Sequence, residues 1–146
     1  MQPVLQRLEV KAALPSNVVD AVGMGKRPAV VGWLDGGGHV DAREAEHQVT
    51  LLMAASKMGH EPIVELLLER RAKVDAQNSN CATALMEAAI FGHAAVVRAL
   101  LRAGASMGVR DNNGHTALQM AQRRKHTAAI AEFRAHEAEA AVCFLR

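Results

Sequence analysis

The residues from Thr83 to Ala105, TALMEAAIFGHAAVVRALLRAGA, occur nearly in duplicate upstream, from Thr50 to Ala72, as TLLMAASKMGHEPIVELLLERRA. Thr50 to Thr83 and Gly59 to Gly92 are both steps of 33 residues. A fixed period of this length constrains the fold more than any other feature of the chain. Each unit carries an apolar face that it cannot bury alone, so neighbours must stack against it. Each copy holds a short helix pattern, a Gly-His turn and a second helix pattern. The expected fold is therefore all-α, a solenoid of stacked helix–turn–helix units with short turn or β-hairpin fingers between them. Composition supports this where it bears on the interior. Half of the residues are apolar, yet aromatics are 3% and Tyr is absent. Ala, Leu and Val must then fill the core, which suits close-packed helices better than strands.

The period extends in both directions. SNVVDAVGMGKRPAVVGWLDGGGHVDA, from Ser16, lies over the Thr50 copy without a gap and places Gly25 on Gly59, Pro28 on Pro62 and Asp41 on Asp75. The offset there is 34, so one residue is inserted near 43–48. Downstream, Asp111-Asn112-Asn113-Gly114-His115-Thr116 is a turn sequence that opens a further unit. A single domain is expected over 1–146. It comprises an N-terminal capping helix within 1–15, a degenerate first repeat over 16–44, repeats over 45–77 and 78–110, and a fourth repeat with a long C-terminal capping helix over 111–146.

Each unit repeats the same local physics. Thr50, Thr83 and Thr116, with Ser16 in the first unit, precede the first helix, where a hydroxyl satisfies orphan backbone N–H groups. Ala55-Ser56 and Ala88-Ala89 are small enough for close helix approach. Gly59 and Gly92 suit left-handed C-caps. Ile63, Val64, Leu67 and Leu68 form a helical stripe that returns as Val96, Val97, Leu100 and Leu101 and, in the first unit, as Ala29, Val30, Trp33 and Leu34.

These residues resemble the ankyrin repeat, whose unit reads roughly D-x-x-G-x-T-P-L-H-x-A-A-x-x-G-H, then V-x-x-L-L, then G-A-x-V-N. Thr83, Leu85, Ala88, Ala89, Gly92, His93, Val97, Leu100, Leu101, Gly104 and Ala105 match it, and the resemblance covers about residues 16–134. The chain departs from that pattern at defined places. The Pro is replaced by Leu51, Ala84 and Ala117, and the His of the T-P-L-H block by Met53, Met86 and Gln119. The turn Gly is Gln48 and Cys81 in two units. Arg71 and Lys125 also stand at Gly positions, where a left-handed backbone costs a side-chain residue about 1 kcal/mol or more. The first and fourth units are expected to be the least stable.

Little in the sequence points to chemistry at a metal or an acyl centre. His60, His93 and His126 recur at one repeat position, so they line an edge of the stack about 10 Å apart. A zinc ion needs its ligands within about 2.0–2.1 Å, so these three are expected to hydrogen-bond turn backbone between units instead. His39, His47, His115 and His136 lack ligand spacing. Cys81 and Cys143 lack both metal spacing and a disulfide framework, which suggests reduced thiols in the cytoplasm or nucleus. Gly36-Gly37-Gly38 follows a helix and carries no G-K-[ST], so it reads as a flexible helix exit and not a phosphate loop. The net charge of +2 argues against a nucleic-acid partner, and no apolar run approaches the ~18 residues of a membrane span. No enzyme activity, cofactor or metal is expected.

The resemblance implies that partners meet the turn fingers and the exposed residues near the end of each first helix. Carried over by position, these include Met24, Lys57, Met58, Ile90, Phe91, Arg123 and Arg124 on the helices and His47, Asn80, Asn113 and His115 on the fingers, with Arg110 beside them. They sketch a groove with an apolar centre and a basic C-terminal end. The expected ligand is a protein segment with a hydrophobic anchor followed by acidic residues, bound by a monomeric scaffold, adaptor or stoichiometric inhibitor. The alternative is the recognition arm of a larger multidomain protein such as a ubiquitin-ligase adaptor, kinase or channel.

Overall fold

A computed structural model of the chain describes residues 13–145. Eight helices form among them, arranged as four successive pairs. The pairs are α1 (Ser16–Gly23) with α2 (Arg27–Asp35), α3 (Leu51–Met58) with α4 (Glu61–Glu69), α5 (Ala84–Phe91) with α6 (Ala94–Arg102), and α7 (Ala117–Arg123) with α8 (Thr127–Leu145). The first helices of the pairs stack on one another as an inner row, and the second helices stack behind them as an outer row. Through the first three units the inner helices touch more extensively than the outer ones.

The inner row packs closely because one position is alanine in all four units. Ala21, Ala55, Ala88 and Ala121 are buried, the last three completely. A methyl side chain there lets neighbouring helix axes approach within the usual ~8–10 Å. Outside this column Ile63, Val64 and Leu67 of α4 meet Val96, Val97, Leu100 and Leu101 of α6 in one continuous core. In the first unit Val30 and Leu34 of the stripe are buried and Trp33 packs partly buried against the core, whereas Ala29 is exposed. In the last unit Phe133, fully buried, takes the place of Leu100. Arg98 of α6 then joins Glu132 of α8, with Nε donating to Oε2 at 3.0 Å.

Helix starts follow the expected capping chemistry with one exception. The hydroxyls of Thr50, Thr83 and Thr116 accept from the backbone N–H of Met53, Met86 and Gln119 at 3.3, 3.4 and 3.3 Å. Gln119 Oε1 accepts the Thr116 N–H in return, completing a capping box. Ser16 does not cap. It is the first helical residue, the extended Pro15 stands before it, and no side-chain cap forms. The expected helix in 1–15 lies outside the described residues except at its end. There Ala13 pairs with Arg43 as an isolated bridge and Leu14 N–H donates to Arg43 O. The Gly36–Gly38 segment is less loose than its composition suggests: a Cβ on Gly38 would lie 2.4 Å from the Trp33 ring, so the indole occupies that space.

The fingers show how the inserted residue is absorbed. Asn78 and Asp111 close their turns with N–H bonds to Ala82 O and His115 O, and each Oδ1 accepts two further N–H groups inside the turn. The finger of the second unit is one residue longer, running from Glu44 N–H to Val49 O. Its anchoring carboxylate belongs to Glu, one methylene longer than Asp, and accepts from Glu46, His47 and Val49. Sequence alignment to the repeat missed this role of Glu44 and Asn78. Successive fingers are tied by Ser79 N–H to His47 O and Asn112 N–H to Asn80 O, each 3.0 Å.

All non-glycine residues with a left-handed backbone among those described sit where the repeat calls for Gly: Gln48, Arg71, Cys81 and Lys125, with φ from 59° to 63°. Gly59 and Gly92 differ from them in a second respect. The His of the following unit lies on each glycine, so that an added Cβ would come within 2.5 Å of His93 Nδ1 or 2.6 Å of His126 Nδ1. Lys125 belongs to the last unit and has no such ring above it. Gly92→Ala is therefore expected to cost about 2–4 kcal/mol, from left-handed strain plus a steric clash. Lys125→Gly, with the same backbone geometry, should stabilise by less than about 1 kcal/mol. Urea unfolding of the two variants checks the contrast.

Candidate functional site: the groove along the inner helices

The joint between units also sets the groove. His60, His93 and His126 each direct Nε2 to a main-chain oxygen of the preceding inner helix: Gly23 O at 3.0 Å, Lys57 O at 2.9 Å and Ile90 O at 2.9 Å. A carbonyl only accepts, so Nε2 carries the proton in each ring. This is the inter-unit backbone bond that the spacing implied. The three acceptors hold the same repeat position, and the residues immediately after them are Met24, Met58 and Phe91.

Those three side chains are exposed by 67%, 49% and 47%, in a chain whose other large apolar groups are mostly buried. They occupy one register at the C-terminal ends of α1, α3 and α5. Lys57 lies alongside, its ammonium 5.6 Å from the centre of the Phe91 ring, an exposed cation–π contact of about 0.5–1 kcal/mol. Ile90 behaves differently from its neighbour: it is partly buried and packs on the core, so it supports the groove floor.

A cavity of about 550 Å³ opens between the first and second units. It brings together Met24, His47, Lys57 and Met58 of the residues implied by the resemblance. Small residues create the space. Gly23 stands where the next units carry Lys57 and Ile90, and Ala54 stands where the units on either side carry Asp20 and Glu87. A Cβ built on Gly23 would meet no atom within 4 Å. The remaining residues of the resemblance lie elsewhere. Asn80 and Asn113 are on exposed finger turns. Arg110 Nη1 donates to Gly114 O at 2.7 Å and braces its own finger. Arg123 Nη1 donates to His115 Nε2 at 2.9 Å, so His115 holds its proton on Nδ1. Arg124 is exposed beside them, and the C-terminal end of the groove is basic.

Three carboxylates in the cavity wall, Asp20, Glu44 and Glu87, were not anticipated. A positional signal existed for two of them: Asp20 and Glu87 stand one helical turn before Met24 and Phe91, on the same face. Burial raises the Glu87 carboxyl above its ordinary 4.5, an effect that the nearby Lys57 charge partly offsets. Among the described residues Glu87 forms no ion pair. For Glu44, burial acts to raise the carboxyl, but the N–H groups of Val49, His47 and Glu46 outweigh it and hold it below 4.5. Ligand atoms of Glu44, Glu46 and His47 come within 4.8 Å of one another, but the Glu44 carboxylate is already engaged by those N–H groups.

Comparison with known proteins agrees with the architecture. A family model described as ankyrin repeats (3 copies) matches residues 20–111 and, in an overlapping frame, 51–141. The chain belongs to the ankyrin-repeat family. Its members are generally protein–protein interaction modules and typically non-enzymatic. No curated protein matches the chain. No helix among the described residues is long and apolar enough to cross a membrane.

Two stability measurements test the site. Met58→Ala and Phe91→Ala should each change stability by no more than about 1 kcal/mol, as expected of exposed residues, whereas Leu100→Ala should cost about 2–5 kcal/mol. A large fall in Tm for the first two would make them core residues. Glu87 has a folded pKa above its unfolded value, so ionising it is harder in the fold than in the unfolded chain. Its contribution is full below pH 4.5 and is lost as pH rises through the higher folded value. Glu87→Gln should therefore stabilise the protein at neutral pH and lose that advantage below pH 4.5, as read from urea midpoints at the two pH values.

Proposed function

We propose that this protein is a non-catalytic interaction module that holds a segment of a partner protein along its concave face, with an apolar side chain of the partner seated between Met24 and Met58. The observation that carries this reading is the register of Met24, Met58 and Phe91. Three large apolar groups are held in solvent at one repeat position, beside a cavity, where the architecture asks for no apolar residue. Exposed apolar surface gathered in this way marks an interaction site, and aromatic, Met and Arg side chains are favoured at binding hot spots. Toward the C-terminal end, Arg110, Arg123 and Arg124 suit acidic residues of the same segment. A scaffold, an adaptor or a stoichiometric inhibitor would use such a face equally well. A monomer in the cytoplasm or nucleus belongs to the same reading, which draws on two thiols without a disulfide framework.

The test is a selection of displayed peptides against the folded protein, followed by titration of the binders against variants. Gly23→Leu fills the cavity from a position with open space and an ordinary helical backbone, and Phe91→Ala removes the exposed ring. Each should weaken the selected binders by about tenfold or more, a loss of about 1.4 kcal/mol, while Arg102→Ala on the outer row leaves them unchanged. Binders that respond to Arg102→Ala and ignore the two groove variants would overturn the reading.

A further inference from the structure

We infer that the groove recognises a charge-ordered segment: a Lys or Arg beside the apolar anchor at the first two units, and an acidic residue farther along at the fourth. This rests on the groove reading above and adds the chemistry and order of the ligand. The anchor end and the far end of the groove carry opposite charge. The cavity is lined by three carboxylate residues, Asp20, Glu44 and Glu87, against one ammonium, that of Lys57, and that ammonium lies over Phe91. At the fourth unit Arg123 and Arg124 are exposed at the positions equivalent to Lys57 and Met58. An acidic residue next to the anchor would meet like charge; a cationic one meets Glu87, which lacks an ion-pair partner among the described residues.

The walls suit a long cationic side chain in particular. Val19, Met24, Met53 and Met58 supply apolar surface along which the methylenes of Lys or Arg can lie, with the charged head reaching the carboxylates. Geometry then fixes the spacing. Two inter-unit steps of about 10 Å separate the cavity at α3 from Arg123 on α7. An extended chain rises about 3.3 Å per residue, so the acidic residue should fall roughly six positions from the anchor. Such an order also excludes a segment with its charges reversed, since close like charges reject a partner more strongly than close opposite charges retain one.

The same peptide selection decides this when sequences are read and charge variants are added. The expected enrichment is Lys or Arg adjacent to Leu, Met or Phe, with Asp or Glu about six positions away. Glu87→Gln should weaken such a peptide by about tenfold, and should have no effect on a version whose cation is replaced by norleucine. Arg123→Gln should likewise lose its effect when the peptide's acidic residue is made Gln. Peptides that respond to Gly23→Leu but show no charge order, or carry the acid at the anchor, overturn this inference and leave the groove reading standing. Peptides indifferent to Gly23→Leu and Phe91→Ala overturn both.

Discussion

The arrangement of this molecule depends on one small joint, repeated three times. An imidazole from each later unit donates Nε2–H to a carbonyl at the end of the preceding inner helix and lies against the glycine that follows that helix. A hydrogen bond of this kind contributes only about 1 kcal/mol net, far less than burial of the outer helices. Its importance is geometric. Sliding one unit against the next breaks the bond and drives the ring into backbone, so the joint holds a register that apolar packing alone would leave loose. Met24, Met58 and Phe91 each follow an acceptor residue directly. The interface that orders the core therefore also aligns the exposed groups.

The joint also separates two meanings of glycine in a repeat. At Gly59 and Gly92 a side chain fails twice, through a left-handed backbone and through the His93 or His126 ring above it. At Gln48, Arg71, Cys81 and Lys125 only the first objection applies, and the chain accepts a strain of about 1 kcal/mol at each. Gln48 recovers part of this by donating Nε2–H to Ala45 O at 3.2 Å. Departures from the repeat pattern thus fall where no neighbouring unit fills the space beside the backbone. In a stack whose stability is a sum over units and their interfaces, such scattered costs can be carried without breaking cooperativity.

Much of this was legible in the sequence because periodicity encodes position. The step of 33 located the caps at Thr50, Thr83 and Thr116 and the His–backbone joint, and the resemblance to the ankyrin repeat supplied the left-handed sites at Gln48, Arg71, Cys81 and Lys125 and the register of the exposed residues. What periodicity does not encode is volume. The cavity exists because Gly23 and Ala54 are smaller than Lys57, Ile90 and Glu87 at matching positions, and a difference between units vanishes when units are superposed to find their likeness. The acidic wall was hidden for the same reason: Asp20 and Glu87 belong to no motif. Ser16 misled in the opposite way. It aligns with Thr50, but Pro15 before it already supplies the extended residue that enters the helix, so the cap position moves back by one.

A net charge of +2 reads as electrically bland, and for the whole chain it is. Folding sorts that charge along the groove. The carboxylates of Asp20, Glu44 and Glu87 gather at one end, and Arg123 and Arg124 at the other. Opposite charges cancel for a partner only when it senses both together. Here Asp20 and Glu44 lie two or more inter-unit steps of about 10 Å from Arg123, and Glu87 one step from it, while exposed charges are screened over about 8 Å at physiological ionic strength. A bound segment would therefore meet two separate fields in sequence, each dominated by one sign of charge, and not their near-zero sum. Net charge is a sound argument against a uniformly charged ligand such as a polynucleotide. It is silent on a ligand whose charge alternates over the scale of those steps, and for such a ligand a nearly neutral protein discriminates best, because attraction at each end depends on the order in which the charges arrive.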